Sequence, residues 1–353
     1  MRRESEEMRM KKLAKSELKN LLKHWAGEYR VLAPTLGING DCLFDTFDED
    51  SFTLDYRKTP FLPKSALFPQ SEVIFAVVKG EYREVLAAQK TLLFGIRSCD
   101  MMGLLQSASF MTRDRCDAYC EAKRDAATTV VMACPGPQNE TCFCTTMQSG
   151  PVAGKGFDLQ FFDAGEFFII QIGSGKGEAA LSSFSLADLD DDLAGEKVEA
   201  FRQRSVGAIA RADSVPEAMN RLKDRTADEG VWERLGQKCI QCGGCTFVCP
   251  TCTCFNVCDH PSGPGQGLRE RSWDACLFGG FTREASGHNP RSTQALRLKR
   301  RHEHKLLDYH ETDIQGGLCG CTGCGRCSDF CPVHIGTLEV AGAIAESDNH
   351  AKD

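Results

Sequence analysis

The chain has 353 residues, 42% of them apolar and 26% charged, with a formal net charge of −7. It is long enough for two domains at roughly 150 residues each, has the composition of an ordinary globular protein rather than a disordered one, and is too acidic for a general affinity for nucleic acid or anionic membrane. Its 20 cysteines, in a chain of this length, point to metal in a reducing compartment and not to the disulfide framework of a small secreted domain.

The opening residues, M-R-R-E-S-E-E-M-R-M-K-K, carry charge without an apolar core, so no signal peptide is expected. No apolar run approaches the length of a membrane span, and a cytoplasmic location is expected. Residues 4–26 are predicted as an amphipathic helix, since Leu18, Leu21, Leu22 and Trp25 fall on one face. A short strand is expected at 29–32, ended by Pro34. Pro60, Pro63 and Pro69 make 35–70 a region of loops and short strands. Compact runs rich in Val, Ile and Phe at 73–78, 91–96, 129–133, 158–162 and 167–172 read as buried strands. Helical stretches at 101–110 and 177–184 lie between or after them. Residues 1–193 are therefore expected to form an α+β or α/β domain.

Residues 194–237 turn helical and serve as a linker. Val198, Phe201 and Ile209 suggest one helix; Ser214 and Glu217 have the capping-box spacing of a second, which would deliver the chain to the cysteines that follow. From 238 to 345 an α-helical ferredoxin-like domain with two cluster motifs is expected, then a tail at 346–353.

Cys239, Cys242, Cys245 and Cys249 stand at C-x2-C-x2-C-x3-C, closed by Pro250, and the spacing recurs at Cys321, Cys324, Cys327 and Cys331, closed by Pro332. Three cysteines two residues apart can wrap one face of a [4Fe–4S] cube. The fourth, followed by proline, heads away and in two-cluster ferredoxins ligates the neighbouring cube. One cube is thus assigned to Cys239, Cys242, Cys245 and Cys331, and the other to Cys321, Cys324, Cys327 and Cys249. Zinc knots are the alternative, but zinc needs only two C-x2-C pairs. The insertion between the motifs is Gly/Pro-rich at 261–267 and helical at 291–310, which suits the helical type of ferredoxin.

Cys99, Cys134, Cys142 and Cys144 follow predicted strands and could gather a third cluster at neighbouring strand ends, or be buried free thiols. Cys252, Cys254 and Cys258 exceed the needs of the cubes; packing around them is the default, with tuning or thiol chemistry as alternatives. Cys116 and Cys120 are left as thiols, and Cys42 and Cys276 are unassigned. The glycine runs at 153–157 and 173–177 fit neither nucleotide-binding pattern and read as turns. Residues 291–305 hold six Lys/Arg against one Glu, for which a solvated helix face is the default reading.

With these residues in view, the chain resembles the β subunit of cytoplasmic sulfhydrogenases and the corresponding iron–sulfur subunit of anaerobic sulfite reductases. The resemblance runs from about Asp55 to Ala343. It is carried by L-F-P-Q-S-E (67–72), F-G-I-R-S-C-D (94–100), C-F-C (142–144), C-I-Q-C-G-G-C-T-F-V-C-P-T-C-T-C-F (239–255), R-S-W-D-A-C (271–276), N-P-R (289–291) and C-T-G-C-G-R-C-S-D-F-C-P (321–332). It implies a non-catalytic electron-transfer subunit of a hetero-oligomer, placed between a flavin-containing reductase-like subunit, which would carry the flavin, and a further redox subunit of hydrogenase, sulfite reductase or heterodisulfide reductase type. It also maps the family's N-terminal cysteines onto Cys99, Cys134, Cys142 and Cys144, as ligands of a third [4Fe–4S] cluster. Ser98 stands where the family has proline, and Cys258 is additional. The rival expectation is a catalytic subunit that reduces a disulfide or sulfur species with Cys252, Cys254 or Cys258. Nucleic acid and a direct membrane span are not expected.

Overall fold

A computed structural model describes residues 10–56, 58–60, 62–309 and 320–347. The chain enters as strand β1 (Met10–Ala14), and only then forms helix α1 (Leu18–Ala26). Residues 10–14, expected to be helical, are thus extended, and residues 4–9 lie outside the described part. The reason is tertiary: β1 finds a full ladder against the apolar strand β9, from Met10↔Gln171 to Ala14↔Phe167. The predicted apolar face of α1 is kept, with Leu18, Leu21, Leu22 and Trp25 all buried.

β2 (Arg30–Leu36), β3 (Cys42–Thr46), α2 (Lys64–Leu67), β4 (Ser71–Val78), β5 (Glu81–Glu84) and β6 (Thr91–Ile96) come next. They are followed by α3 (Ser98–Thr112), α4 (Ala118–Ala126), β7 (Ala127–Met132), β8 (Leu159–Asp163), β9 (Phe167–Ile172), α5 (Gly175–Leu181) and β10 (Ala187–Asp188). Pro34 does not end its strand. The parallel ladder of β2 to β6 stops at Leu32, so Pro34 faces only β3, opposite Phe44, where a missing donor on the other side does no harm.

Among the described residues the main sheet has eight strands in the order β10-β1-β9-β8-β7-β6-β2-β3. β2, β6, β7 and β8 run parallel and the outer strands antiparallel. Parallel strands must be covered on both faces, and the alternation of β6 does this. Leu92 and Phe94 join α1 and α5 on one side, while Leu93 and Ile96 join α2 and α3 on the other. The carboxyl ends of β6 and β7 therefore lie side by side, and Cys99 and Cys134 are delivered there.

The strand expected at 73–78 forms as β4, but not in the main sheet. β4 and β5 pair with β11 (Phe255–Gly263) and β12 (Gln266–Trp273) in a separate sheet, β11-β12-β4-β5. The Gly/Pro-rich stretch 261–267 is thus the tip of a hairpin, bulged between Pro261 and Gly263. Tyr82 and Val257 stand exposed on this sheet.

The remaining chain is helical: α6 (Asp191–Ala208), α7 (Ser214–Lys223), α8 (Gly230–Lys238), the single turn α9 (Gly244–Phe247), α10 (Gln294–Glu303) running into a π-helical turn at His304–Asp308, the turn α11 (Arg326–Asp329) and α12 (Thr337–Glu346). The capping box expected at Ser214 does not form. Asp213 is the cap, without a side-chain bond, and Glu217 instead pairs with Arg221 at 2.7 Å. A third helix, α8, delivers the chain to Cys239. α7, α8, α10 and α12 share one core built on Val215, Leu222, Trp232, Leu298, Val340 and Ile344. No described helix is long and apolar enough to cross a membrane.

Phe94 is fully buried at the centre of the main sheet, edge-on to Phe161 at 5.7 Å. Phe94→Ala is expected to destabilise the chain by about 3–5 kcal/mol, read as a lowered denaturation midpoint under anaerobic conditions.

Candidate metal centres

The two cysteine motifs fold as copies of one loop. Gln241 and Gly323, each just before the middle cysteine, have φ of 58° and 61°. Gly243 and Gly325, just after it, both have φ of 71° and begin the turns α9 and α11. A left-handed residue on either side of Cys242 and of Cys324 curls the chain into a cup, which an unbroken helix cannot provide. Backbone N–H groups already reach sulfur: Gly323 donates to Cys321 at 3.4 Å, Thr337 to Cys327 at 3.3 Å and Ile335 to Cys331 at 3.4 Å.

The thiols lie near one another across the two motifs. Cys245 is within electrostatic reach of Cys239, Cys331 and Cys327, and Cys324 of Cys249 and Cys327. Cys331 thus stands by Cys245 of the first motif, and Cys249 by Cys324 of the second. Among the described residues no three His, Cys, Asp or Glu side chains close on a point as a single ion would need; a cubane takes its thiolates at four corners, standing farther apart. The cysteine donor set suits iron–sulfur chemistry.

The N-terminal cysteines also converge. Cys99, at the start of α3, and Cys134, after β7, sit at adjacent strand ends, and Cys142 and Cys144 come from the loop between β7 and β8. All four are buried. Cys144 feels Cys134, Cys142 and Cys324, and Cys99 feels Cys324 and Cys144. The second motif lies directly on this loop: Phe143 N–H donates to Gly323 O at 2.9 Å, and a Cβ on Gly323 would fall 2.6 Å from the Phe143 backbone. Ser149 Oγ donates to Thr322 O. Burial pushes the thiols of Cys99, Cys134 and Cys324 up, and those of Cys144 and Cys245 up to about 12. Thiols so placed keep their protons, and a metal binding here would have to displace them.

Sequence reasoning missed the cations around these thiols. Residues 291–305 are not a solvated face, since Arg297, Arg301, His302 and Lys305 are buried. Arg301 Nη2 donates to Cys245 O at 2.9 Å. His302 Nδ1 donates to Leu298 O at 2.9 Å, which leaves Nε2 to accept from Arg301 Nη1 at 2.9 Å. Lys64, also buried, donates to the carbonyls of Cys249 and Cys252 at 2.9 and 2.8 Å. Burial opposes the Lys305 ammonium, while Cys249 and Cys252 hold it above its ordinary pKa. The only signal for any of this in the sequence was the helical spacing Arg297, Arg301, Lys305, which a charge count reads as a surface.

Residues 238–335 match the family described as 4Fe-4S dicluster domain. The β subunit of sulfhydrogenase 2 from Pyrococcus furiosus is 31% identical over 302 residues, which cover 84% of this chain and 86% of the relative. The chain belongs to the sulfhydrogenase β-subunit family. No solved structure matches it. It is thus an iron–sulfur, electron-transfer protein and an oxidoreductase subunit.

Segments singled out in the sequence meet in space although they are distant along the chain. Phe68 of L-F-P-Q-S-E stacks on Trp273 of R-S-W-D-A-C at 6.0 Å and accepts its indole N–H at 3.0 Å. Glu72 pairs with Arg271 at 2.5 Å. Asp274 N–H donates to Cys254 O at 3.0 Å, so Cys276 comes to rest beside Cys254. Ser98 occupies the first helical position of α3, where proline is also at home, and donates to Ser149 O at 2.6 Å. Cys258 is exposed on β11, apart from Cys252 and Cys254. Cys116 is exposed beside Glu121, Cys120 packs under Phe68 and Met111, and Cys42 is half-buried on β3. Gly156 lies in a loop, while 173–177 makes a strand–helix junction capped by Ser174.

Arg326, between Cys324 and Cys327, binds Asp100 with two N–H groups at 2.7 and 3.2 Å, and its Nε donates to Thr59 O at 2.9 Å. Both side chains are buried. Arg326→Met strands the Asp100 carboxylate and is expected to cost about 3–5 kcal/mol, seen as a lowered melting temperature of the anaerobically purified chain.

Proposed function

We propose that the chain carries three [4Fe–4S] clusters in a row and serves as the electron relay of a cytoplasmic hetero-oligomer, between a flavin-bearing, reductase-like partner and a further redox subunit. The ligands are Cys239, Cys242, Cys245 and Cys331 for the first; Cys321, Cys324, Cys327 and Cys249 for the second; and Cys99, Cys134, Cys142 and Cys144 for the third. The observation that carries this reading is the unbroken succession of thiol groups, with Cys327 facing the first group from the second and Cys324 facing the third. The relative's name, a sulfhydrogenase subunit, favours a partner of hydrogenase type.

The clusters supply one-electron exchange, within a range of roughly −700 to +450 mV. The protein contributes spacing, dryness and charge. The thiols of the second and third groups are all buried, whereas Cys242 is exposed beside Ile240, itself 59% exposed. Electrons therefore cross to a partner at the first group, where an apolar residue offers contact. At the far end Cys142 walls a surface pocket of about 570 Å³ with Asn139, Glu140 and Ala208, which gives the second partner its approach. N–H···S bonds from Gly323, Thr337 and Ile335, together with the cations Lys64, Arg301 and Lys305, stabilise added negative charge and so raise the potentials.

Two measurements test this. In Cys331→Ala, low-temperature EPR of the reduced chain should show the signal of the first cube altered and that of the second retained; loss confined to the second cube would sink the exchange of fourth cysteines. Replacing Cys134 and Cys142 together by Ala should remove about four irons per chain and leave both ferredoxin-type signals. Unchanged iron content would make those cysteines ordinary buried thiols.

A further inference from the structure

Of the described thiols outside the twelve assigned above, three meet. Cys254 and Cys276 are in hydrogen-bonding contact, and the backbone N–H of Cys276 is also directed at the Cys254 sulfur. Cys252 is within electrostatic reach of Cys254, its thiol in contact with Cys249. All three line one cavity of about 260 Å³, whose other walls include the rings of Phe110, Phe255, Phe281 and Tyr309 and the basic side chains Arg301, His304 and Lys305. Among the described residues Cys252 and Cys276 are buried and Cys254 is half-buried.

The surroundings select the occupant. Lys305 gives a hydrogen bond to Thr251 Oγ1 at 2.8 Å, and Lys64 lies on the carbonyls of Cys249 and Cys252. Among the described residues neither ammonium has a carboxylate partner, and no carboxylate lines the cavity. Buried cations need anions, and thiolates are the anions at hand. A wall of sulfur and aromatic rings suits a soft metal group and disfavours magnesium or calcium, which require oxygen ligands. The C-x-C pair Cys252-Thr253-Cys254 repeats the form of Cys142-Phe143-Cys144. There Cys99 and Cys134 come from other segments to meet the pair, and here Cys276 does.

We propose that Cys252, Cys254 and Cys276 hold a fourth iron–sulfur cluster, a cubane bound through three thiolates with its fourth iron facing the cavity. The site lies beside the second group through the Cys249–Cys252 contact, off the row of three, and so forms a branch whose fourth corner meets no further thiol among the described residues. It goes beyond the relay reading, and its iron is counted separately.

A cubane with one uncovered corner has a signature of its own. On oxidation by ferricyanide, [4Fe–4S]²⁺ gives [3Fe–4S]⁺, one Fe²⁺ and one electron, which ferricyanide accepts. The anaerobically reconstituted full chain should hold about sixteen irons and, after one equivalent of ferricyanide, show the EPR signal of an oxidised three-iron cluster. Cys276→Ala and Cys254→Ala should each hold about four fewer irons, lack that signal and keep the reduced signals of both ferredoxin-type cubes. In the iron-loaded parent, iodoacetamide should leave Cys252, Cys254 and Cys276 unmodified while labelling Cys258 and Cys116. A parent with about twelve irons and no three-iron signal, or alkylation of Cys254 and Cys276 without loss of iron, would overturn this site and leave the relay intact. Absence of the two ferredoxin-type signals from the parent would instead overturn the relay. Because the iron count, the oxidation and the alkylation are all read on the parent, a variant that fails to fold does not remove the test.

Discussion

Arg326 and Asp100 form a bidentate ion pair with almost no access to water, and the arrangement of the thiols depends on it. Asp100 follows Cys99 and also accepts the backbone N–H of Arg97 at 3.2 Å, closing the start of α3. Arg326 precedes Cys327 and begins the turn α11. One contact thus sets the carboxyl edge of the main sheet against the second cysteine loop. Lys58 adds to it, donating to Cys324 O and pairing with Asp329 at 2.9 Å. Pro250, which leaves the first motif, lies on α3 opposite Gly103, and its carbonyl accepts from Ser107 at 3.0 Å. Both cysteine motifs are therefore seated on α3, the helix that carries Cys99 in its first turn.

The chain as a whole is acidic, yet its interior around the thiols is basic. Lys64, Arg301 and Lys305 are buried without carboxylates among the described residues, and they face Cys245, Cys249 and Cys252. In an apolar protein this would be costly. Around groups that carry net negative charge when loaded, the same cations are complementary, and they resist the shedding of metal. Lys64 also lies over the Trp273 ring at 4.1 Å, so the aromatic joint between the two sheet-forming halves supports one of the charges.

The cysteine spacing was legible because a cubane constrains neighbouring residues, and the strand at 91–96 because burial on both faces leaves an unbroken apolar run. The convergence of Cys99 and Cys134 followed from their places after β6 and β7 once those strands proved to be parallel neighbours. What was not legible depended on partners distant in sequence. Met10–Ala14 is a strand only because β9 is beside it. Pro261, Gly263 and Gly267 describe a loop by local chemistry, and β4 turns them into a hairpin tip. Arg297, Arg301 and Lys305 look like surface until the carbonyls and thiols that receive them are known.

The seam between Gly323 and Phe143 also fixes an order of events during biosynthesis. A chain emerging from the ribosome completes the eight-stranded sheet by Asp188, with Cys99, Cys134, Cys142 and Cys144 already gathered at its edge. β4 must wait for β12, and the thiol pocket at the sheet edge stays uncovered until residues 321–327 have been made. Domains generally fold from the N-terminus as they appear. In the three-cluster reading proposed above, the last loop to be synthesised therefore covers the third group on the side of Cys99 and Cys144, while Cys142 at its surface pocket keeps an approach from outside.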